Sequence, residues 1–539
     1  MPPGRVATEL EVKLLVDRER DLDELSRLTR LGHYRLRQRA PQHLYSVYLD
    51  TRDLALSRHG VGVRVRRADA TWEATVKWAG SVNGAVHRRP ELNVALAGAP
   101  RFPFAAPSEL RVHLTALLAG RKLVPLLVTE IDRRVIEVLD VGAQHCLVEI
   151  ALDRVVLRGP HKDDPRSERY CEVEIERKQG TVEDVAAISA CLQQGRRLRP
   201  SRDSKLARGL RLLCDGGVPP GPRSTALGPE DSVVTGMRKI MARHLDRLLV
   251  NDPGTRLGED IEALHDMRVA SRRLRALVRL FKSVVPARPA RELSNDLRWL
   301  GHVLGTVRDV DVQLQRLEAR QAAMRPAQRA AIDPYLESLR RLRAARRPAM
   351  LAELNAPRYL RLLRRLETFV RAEAAPPNAR SLAGAGRRAI RKASKQLHKR
   401  AHAIGKHPSA DDLHEVRILA KRLRYACEFL QPLTGSSGPR FLKRLVELQD
   451  LLGAHNDAVV ATQFAHAYLE KEARPRASAT ARAVVRLVRA NEEHAERARA
   501  GFHRAWKDFT RRRSLRQFDA MLAALRLRQG RRSGSRTSV

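Results

Sequence analysis

The chain has 539 residues, with 102 Lys and Arg against 61 Asp and Glu, for a formal net charge of +41. That length accommodates two or three domains with cores of their own. Aromatic residues make up 4%, too few for the stacking platforms of a single-strand nucleic-acid binder. The five cysteines are odd in number and lack C-x-x-C spacing, which excludes a disulfide framework and a zinc ribbon. No apolar stretch has membrane-spanning length, and M-P-P-G-R-V-A-T-E-L is no signal segment, so a cytoplasmic protein without a membrane partner is expected.

Strand signals dominate residues 1–214. In E-L-E-V-K-L-L-V, Glu9, Glu11 and Lys13 share one face while Leu10, Val12 and Leu14 share the other. V-R-V-R aims Arg64 and Arg66 one way, and Glu73, Thr75 and Lys77 lie on one face of the next segment. Thr129, Ile131 and Arg133 alternate with Glu130, Asp132 and Arg134; one step of register decides whether Arg133 or Arg134 faces inward. Glu149 and Asp153 share a face of C-L-V-E-I-A-L-D, as do Glu172, Glu174 and Glu176 of C-E-V-E-I-E.

Any one of these segments fits an antiparallel sheet with a solvated face. Six of them, with charges of both signs on one side, predict a closed barrel with a charged lumen. Carboxylate clusters hold hard divalent cations, and Arg clamps phosphate oxygens in pairs. Together they fit phosphoryl-transfer chemistry.

Residues 215–230 contain eight Gly or Pro in sixteen positions and read as a linker. Residues 231–513 follow helical periodicity, and the charge concentrates on this side: +33 from Asp231 onward against +8 before it. The helical part repeats itself. H-D-M-R-V-A-S-R-R-L-R-A from His265 aligns with H-E-V-R-I-L-A-K-R-L-R-Y from His414. L-G-T-V-R-D-V-D-V from Leu304 aligns with L-G-A-H-N-D-A-V-V from Leu452, at nearly the same offset, so a domain has been duplicated.

At about 100° per residue, His265, Arg268, Arg272 and Arg275 form one helical stripe, and His414, Arg417, Lys421 and Arg424 repeat it. Arg273 and Arg422 stand beside the stripes. With almost no acid interleaved, the stripes point to a polyanion. No nucleic-acid-binding signature is present, so a polyanion without bases, such as inorganic polyphosphate, fits at least as well as nucleic acid, and no specific nucleic acid is expected. Protonation of the two histidines is expected to add charge near neutral pH. Arg308, Asp309, Asn456 and Asp457 are expected to brace helices. Residues 514–539 form a basic tail expected to be disordered.

The N-terminal E-x-E-x-K, the R-x-R, the strand Lys77, the central Arg133, the late E-x-E-x-E and Lys205 in that order resemble the CYTH domain of the triphosphate tunnel metalloenzymes. The doubled H-x-x-R-x-x-x-[RK]-R-x-R helix resembles the CHAD domain. The resemblance implies an α+β two-domain protein: an eight-stranded antiparallel β tunnel followed by an all-α duplicated helical bundle. It also implies hydrolysis of inorganic triphosphate with Mg²⁺ or Mn²⁺, and polyphosphate binding that associates the protein with polyphosphate granules. By position, Glu9, Glu11, Glu172 and Glu174 would hold metal. Lys13, Arg64, Arg66, Lys77, Arg133 and Lys205 would hold phosphates, with Lys13 counted in the catalytic set beside Glu9 and Glu11. Glu149 and Asp153 would serve a second metal or orient water. A protein that binds phosphate chains without turnover, and a tunnel enzyme acting on ATP or thiamine triphosphate, are the alternatives.

Overall fold

The computed structural model describes residues 7–530, except 79–80, 84–85, 141, 143–144, 162–163, 202, 214–225, 229, 259, 283–285, 373–379 and 472–477. Most of the expected linker and the end of the expected tail, 531–539, lie outside the described residues. The chain divides into two compact units, residues 1–223 with 252–257, and residues 224–251 with 258–539.

The first unit contains β1 (Ala7–Val16), α1 (Glu19–Leu25), β2 (Arg30–Leu31), β3 (Tyr34–Gln38), β4 (Gln42–Asp50), α2 (Ala55–Arg58), β5 (Gly62–Ala68) and β6 (Thr71–Lys77). It continues through β7 (Ser81–Asn83), β8 (Val86–Leu96), α3 (Ser108–Leu118), β9 (Val124–Leu139), β10 (Cys146–Arg158), β11 (Ser167–Arg177), α4 (Val182–Gln193), β12 (Leu198–Pro200) and α5 (Lys205–Leu213). Eight strands pair antiparallel in the order β10-β11-β1-β8-β6-β5-β4-β9, and β9 pairs with β10 to close the barrel. Closure removes every edge among these eight.

The barrel is apolar on much of its outside. Leu10, Val12 and Leu14 of β1 pack with Ile136, Val138, Ile150, Val173 and Ile175 of the adjoining strands. Val185, Ile188 and Leu192 of α4 join this layer. The alternation of the strands then sends the opposite, charged set into the lumen. One end of the lumen is apolar, where Tyr48, Leu127 and Leu157 meet Leu206, Leu212 and Leu213 of α5.

Gly209 permits that seating. A Cβ there would come within 2.3 Å of Leu127 Cδ2. Gly209→Val is therefore expected to cost about 1–3 kcal/mol by overpacking, read as a lower denaturation midpoint.

The second unit is helical: α6 (Val233–Leu257), whose residues 252–257 count with the first unit, α7 (Ile261–Leu280), α8 (Ala287–Ala322), α9 (Pro326–Asn355), α10 (Pro357–Arg371), α11 (Leu382–His402), α12 (Ala410–Leu430), α13 (Ser437–Lys471), α14 (Ala479–Ala500), α15 (Phe502–Phe509) and α16 (Arg512–Gly530). The duplication is explicit, because the four helices of one repeat begin at 233, 261, 287 and 326 and those of the other at 382, 410, 437 and 479. The repeats meet through reciprocal backbone bonds: Val233 N–H donates to Arg380 O at 2.8 Å, and Leu382 N–H to Asp231 O at 2.9 Å. Helices α7 and α12, which carry the two stripes, pack on each other.

The expectation of disorder beyond 513 is corrected as far as the described residues run. Residues 512–530 form α16, which packs on α11 and α13 and buries Met521, Leu522 and Leu525. Phe518 adds a ring contact with Phe441 at 5.1 Å between centroids. Basic composition masked an ordinary amphipathic spacing. Truncation at 513 should therefore lower the denaturation midpoint by several degrees.

Candidate active site and cationic helical face

The register of the barrel sets the site. Lys13 stands opposite Glu174, Asp153 opposite Glu172, and Arg133 opposite Asp153. Arg64 lies between Tyr48 and Thr75, and Lys77 lies opposite Glu91. Arg133 faces the lumen. Its neighbour Arg134 points away and donates to Ser26 Oγ at 3.0 Å.

Asp153, Glu172 and Glu174 come together, with one carboxylate oxygen from each lying within 4.8 Å of the others. Lys205 reaches in from the start of α5, 3.0 Å from Asp153 Oδ2 and 3.0 Å from Glu174 Oε1, and also pairs with Glu172. Arg133 forks onto Asp153 through Nε and Nη2, both at 2.7 Å, and reaches Glu174 Oε2 at 2.6 Å. Lys13 pairs with Glu174 and, at 3.0 Å, with Glu11.

Burial favours the neutral form of every one of these acids. For Glu174 the ammoniums of Lys13 and Lys205 and the Arg133 guanidinium override it and hold the carboxyl well below its usual range. For Glu172 burial outweighs Lys205, and the carboxyl is raised. A set of clustered hard oxygens in which one carboxyl resists ionisation is a site that a divalent cation would complete.

Glu9 lies apart from this triad. It binds Lys77 at 2.6 Å, and burial pushes its carboxyl up to about 7 despite that ammonium. Lys77 also binds Glu91 at 2.8 Å. Asn93 donates to Glu91 at 2.6 Å and accepts from Thr75 Oγ at 2.7 Å. Glu91 and Asn93 were missed as lumen groups, although E-L-N-V-A-L alternates like the other strands. Glu149 is also separate: it stands four residues from Asp153 with Lys178 3.7 Å away, and Lys178 also pairs with Glu176 at 2.9 Å.

Arg64 and Arg66 differ from every other lumen cation named above. Among the described residues Arg64 donates to Thr75 Oγ at 3.2 Å and Arg66 to Ser46 Oγ at 3.2 Å. Among the described residues neither has a carboxylate at ion-pair distance, and Arg64 Nε is buried without a partner. Burial, Arg64 and Arg133 push the Arg66 guanidinium down to about 9.

The helical face is less uniform than its sequence suggests. Arg268 pairs with Asp309 at 3.2 Å, and Arg308 donates to Ile261 O at 3.4 Å, so Arg308 and Asp309 make bracing contacts within the repeat. Arg273 and Arg424 lie 2.8 and 2.6 Å from Glu428, which corrects the picture of acid-free rows. The excess charge gathers in two places. Lys421 stands among Arg417, Arg272 and Arg268; burial and these neighbours push its ammonium down to about 7. Arg275 and Arg279 crowd Arg298 and Arg422, with burial and like charges lowering both guanidiniums. His265 is held below its ordinary value by burial and Arg308, and His414 is exposed. The near-neutral titration expected of His265 therefore passes to Lys421.

The register thus builds a closed tunnel lined by paired acids and bases, with two guanidiniums that have no carboxylate partner among the described residues. Residues 7–210 match the CYTH domain and residues 239–466 match the CHAD domain. The chain is a CYTH domain followed by a CHAD domain. Over 450 residues it is 26% identical to an uncharacterized protein of Mycobacterium tuberculosis, covering 80% of this chain and 83% of that one. The inorganic triphosphatase of Haemophilus influenzae is 27% identical over 208 residues, 38% of this chain and 54% of that protein. The crystal structure of the CHAD domain from the plant Ricinus communis covers 53% of this chain and 95% of its own at 29% identity, with a TM-score of 0.45. No described helix is long and apolar enough to cross a membrane.

Proposed function

We propose that the tunnel hydrolyses inorganic triphosphate with Mg²⁺ or Mn²⁺ and that the helical domain binds inorganic polyphosphate. The observation that carries the first part is the pair Arg64 and Arg66, uncommitted beside a carboxylate triad. Asp153, Glu172 and Glu174 would hold the cation, which when bound neutralises phosphate charge and lowers the pKa of water. Arg64 and Arg66 grip the phosphate oxygens in pairs and stabilise charge that develops at the transferred group. Lys13, Lys77, Arg133 and Lys205 bind the rest of the chain, and Lys13, Lys205 and Arg133 keep Glu174 ionised. The kinship with the Haemophilus enzyme favours the smallest triphosphate.

Phosphate release from tripolyphosphate, ATP and thiamine triphosphate, measured side by side with Mg²⁺, Mn²⁺ or chelator, tests this reading. Tripolyphosphate should be fastest and chelator should stop turnover. Tight binding without release would favour a phosphate-chain binder instead.

The cluster of Arg268, Arg272, Arg417 and Lys421 supports the second part, and tethers the enzyme to cytoplasmic polyphosphate, granules included. Its affinity should depend on pH through Lys421. In the free protein this ammonium is depressed to about 7, and a polyanion raises it again, so binding takes up a proton. Affinity should therefore rise as pH falls from 8 to 6, by up to about tenfold per pH unit. Lys421→Arg, which stays charged, should remove most of that slope in a binding titration at pH 6 and 8.

A further inference from the structure

One buried group belongs neither to the tunnel nor to the cationic cluster around Lys421. His244 of α6 is 1% exposed, and among the described residues neither Nδ1 nor Nε2 has a hydrogen-bond partner. Its ring stands edge-on to Phe429, centroids 5.6 Å apart. An imidazole buried with both hydrogen bonds unmade is costly unless something fills them. Packed against Phe429 on one side, the ring borders open space on another. It lines a cavity of about 400 Å³ whose other polar walls are Arg243, Arg247, Arg273, Glu428 and Gln431.

Three guanidiniums make this an anion site. Arg243 and Arg247 stand one turn apart on α6, and burial with the charges of Arg247 and Arg273 lowers the Arg243 guanidinium. Arg273 Nε is buried without a partner. The remaining two walls select which anion. Glu428 Oε1 accepts from Arg424 Nε at 2.6 Å. Its Oε2 lies 2.8 Å from Arg273 Nη2 yet is buried and makes no hydrogen bond.

A carboxylate oxygen facing a fully ionised anion repels it. Facing an anion that carries a hydroxyl, it accepts a hydrogen bond. His244 can do the same: burial and the three arginines hold it neutral, at about 3, so one ring nitrogen stays an acceptor and the other a donor. Sulfate at neutral pH has no proton to give, and neither do the internal units of a phosphate chain. Orthophosphate and terminal phosphates do, because their second ionisation falls near pH 6 to 7.

We propose that the Arg243–Arg247–Arg273 cavity binds an orthophosphate group bearing a P–OH, free or at the end of a chain, with His244 and Glu428 reading its proton. The arginines would donate to the ionised oxygens. The site stands independently of the polyphosphate cluster, since none of its observations rests on that reading.

The test is calorimetric titration of inorganic phosphate and of sulfate at pH 7 and equal ionic strength. The full chain would carry Arg64→Ala and Arg66→Ala to weaken anion binding in the tunnel. One phosphate should bind per chain, with sulfate at least about tenfold weaker, as expected when a site built for a hydroxyl meets an analogue lacking it. His244→Leu should weaken phosphate by about tenfold and leave sulfate nearly unchanged. Arg247 is exposed, so Arg247→Glu should abolish binding without disturbing the fold, even if the His244 variant is unstable. Competition by tripolyphosphate but not by cyclic trimetaphosphate, which has no chain end, would support a chain terminus as the source. Competition by neither would support free phosphate. Equal binding of phosphate and sulfate, or undiminished binding in Arg247→Glu, would overturn the proposal.

Discussion

Glu172→Gln and Glu174→Gln should each lower phosphate release from tripolyphosphate by at least about a thousandfold, with the barrel still folded. Removing a metal ligand or an electrostatic stabiliser costs turnover on this scale. The two substitutions should then diverge. Glu174 is the more heavily paired acid, with Arg133 2.6 Å away, Lys205 3.0 Å away and Lys13 also bound. Its loss leaves three buried cations short of a partner, so Glu174→Gln should also lower stability by a few kcal/mol, the range seen when one member of a buried pair is removed. Glu172 is raised by burial and already disposed to the neutral form, so Glu172→Gln should be nearly neutral in stability while still disabling the triad. Activity with a metal titration and a urea denaturation curve for each variant separate the two effects. Wild-type turnover of either variant at saturating metal would remove the triad from the chemistry. Glu9→Gln provides the contrast: Glu9 serves Lys77 outside the triad, and its loss should raise KM through a displaced Lys77 as well as lower kcat.

Period-two alternation made the barrel and its charged lumen legible, because Glu9, Glu11 and Lys13 cannot share the face of Leu10, Val12 and Leu14. Alternation says which residues share a face, but says nothing of how far one strand slides along the next. Arg133 and Arg134 could therefore not be told apart until pairing set Arg133 against Asp153. The triad was hidden for the same reason. Asp153 meets Glu172 through the β10–β11 register, and Lys205 joins them from a helix whose seating over Leu127 depends on Gly209. On the helical side, a stripe of like charges is readable within one helix, whereas its partners are not. Asp309 reaches Arg268 from α8, and Glu428 of α12 answers Arg273 of α7. Helix α16 was overlooked because Leu515, Phe518, Met521, Leu522 and Leu525 keep helical spacing inside a segment that composition alone labels basic and disordered.

The largest expected loss of polyphosphate binding comes from reversing Arg272, Arg417 and Lys421 to Glu together. Lys421 is crowded by Arg417, Arg272 and Arg268, with Asp457 the only acid among its named neighbours. Each of these cations lacks a carboxylate at ion-pair distance among the described residues, so each is free to contact phosphate. Arg268 is left in place because Asp309 pairs with it and its reversal would disturb the brace. Three reversals should weaken binding of long chains by about a hundredfold or more at moderate salt. They should also reduce the slope of log affinity against log salt by roughly three, since each lost contact releases about one fewer counterion. Reversal of Arg361, Arg364 and Arg486, all exposed, makes the same change in net charge elsewhere on the helices and serves as the control. It should cost only the few-fold expected from a weaker overall field. Binding titrations at three salt concentrations, with double-stranded DNA of equal charge as competitor, check both statements. Should the control reversals cost as much as those around Lys421, or DNA compete as well as polyphosphate, the +33 of the helical half would be a general polyanion-attracting surface with no built site on it.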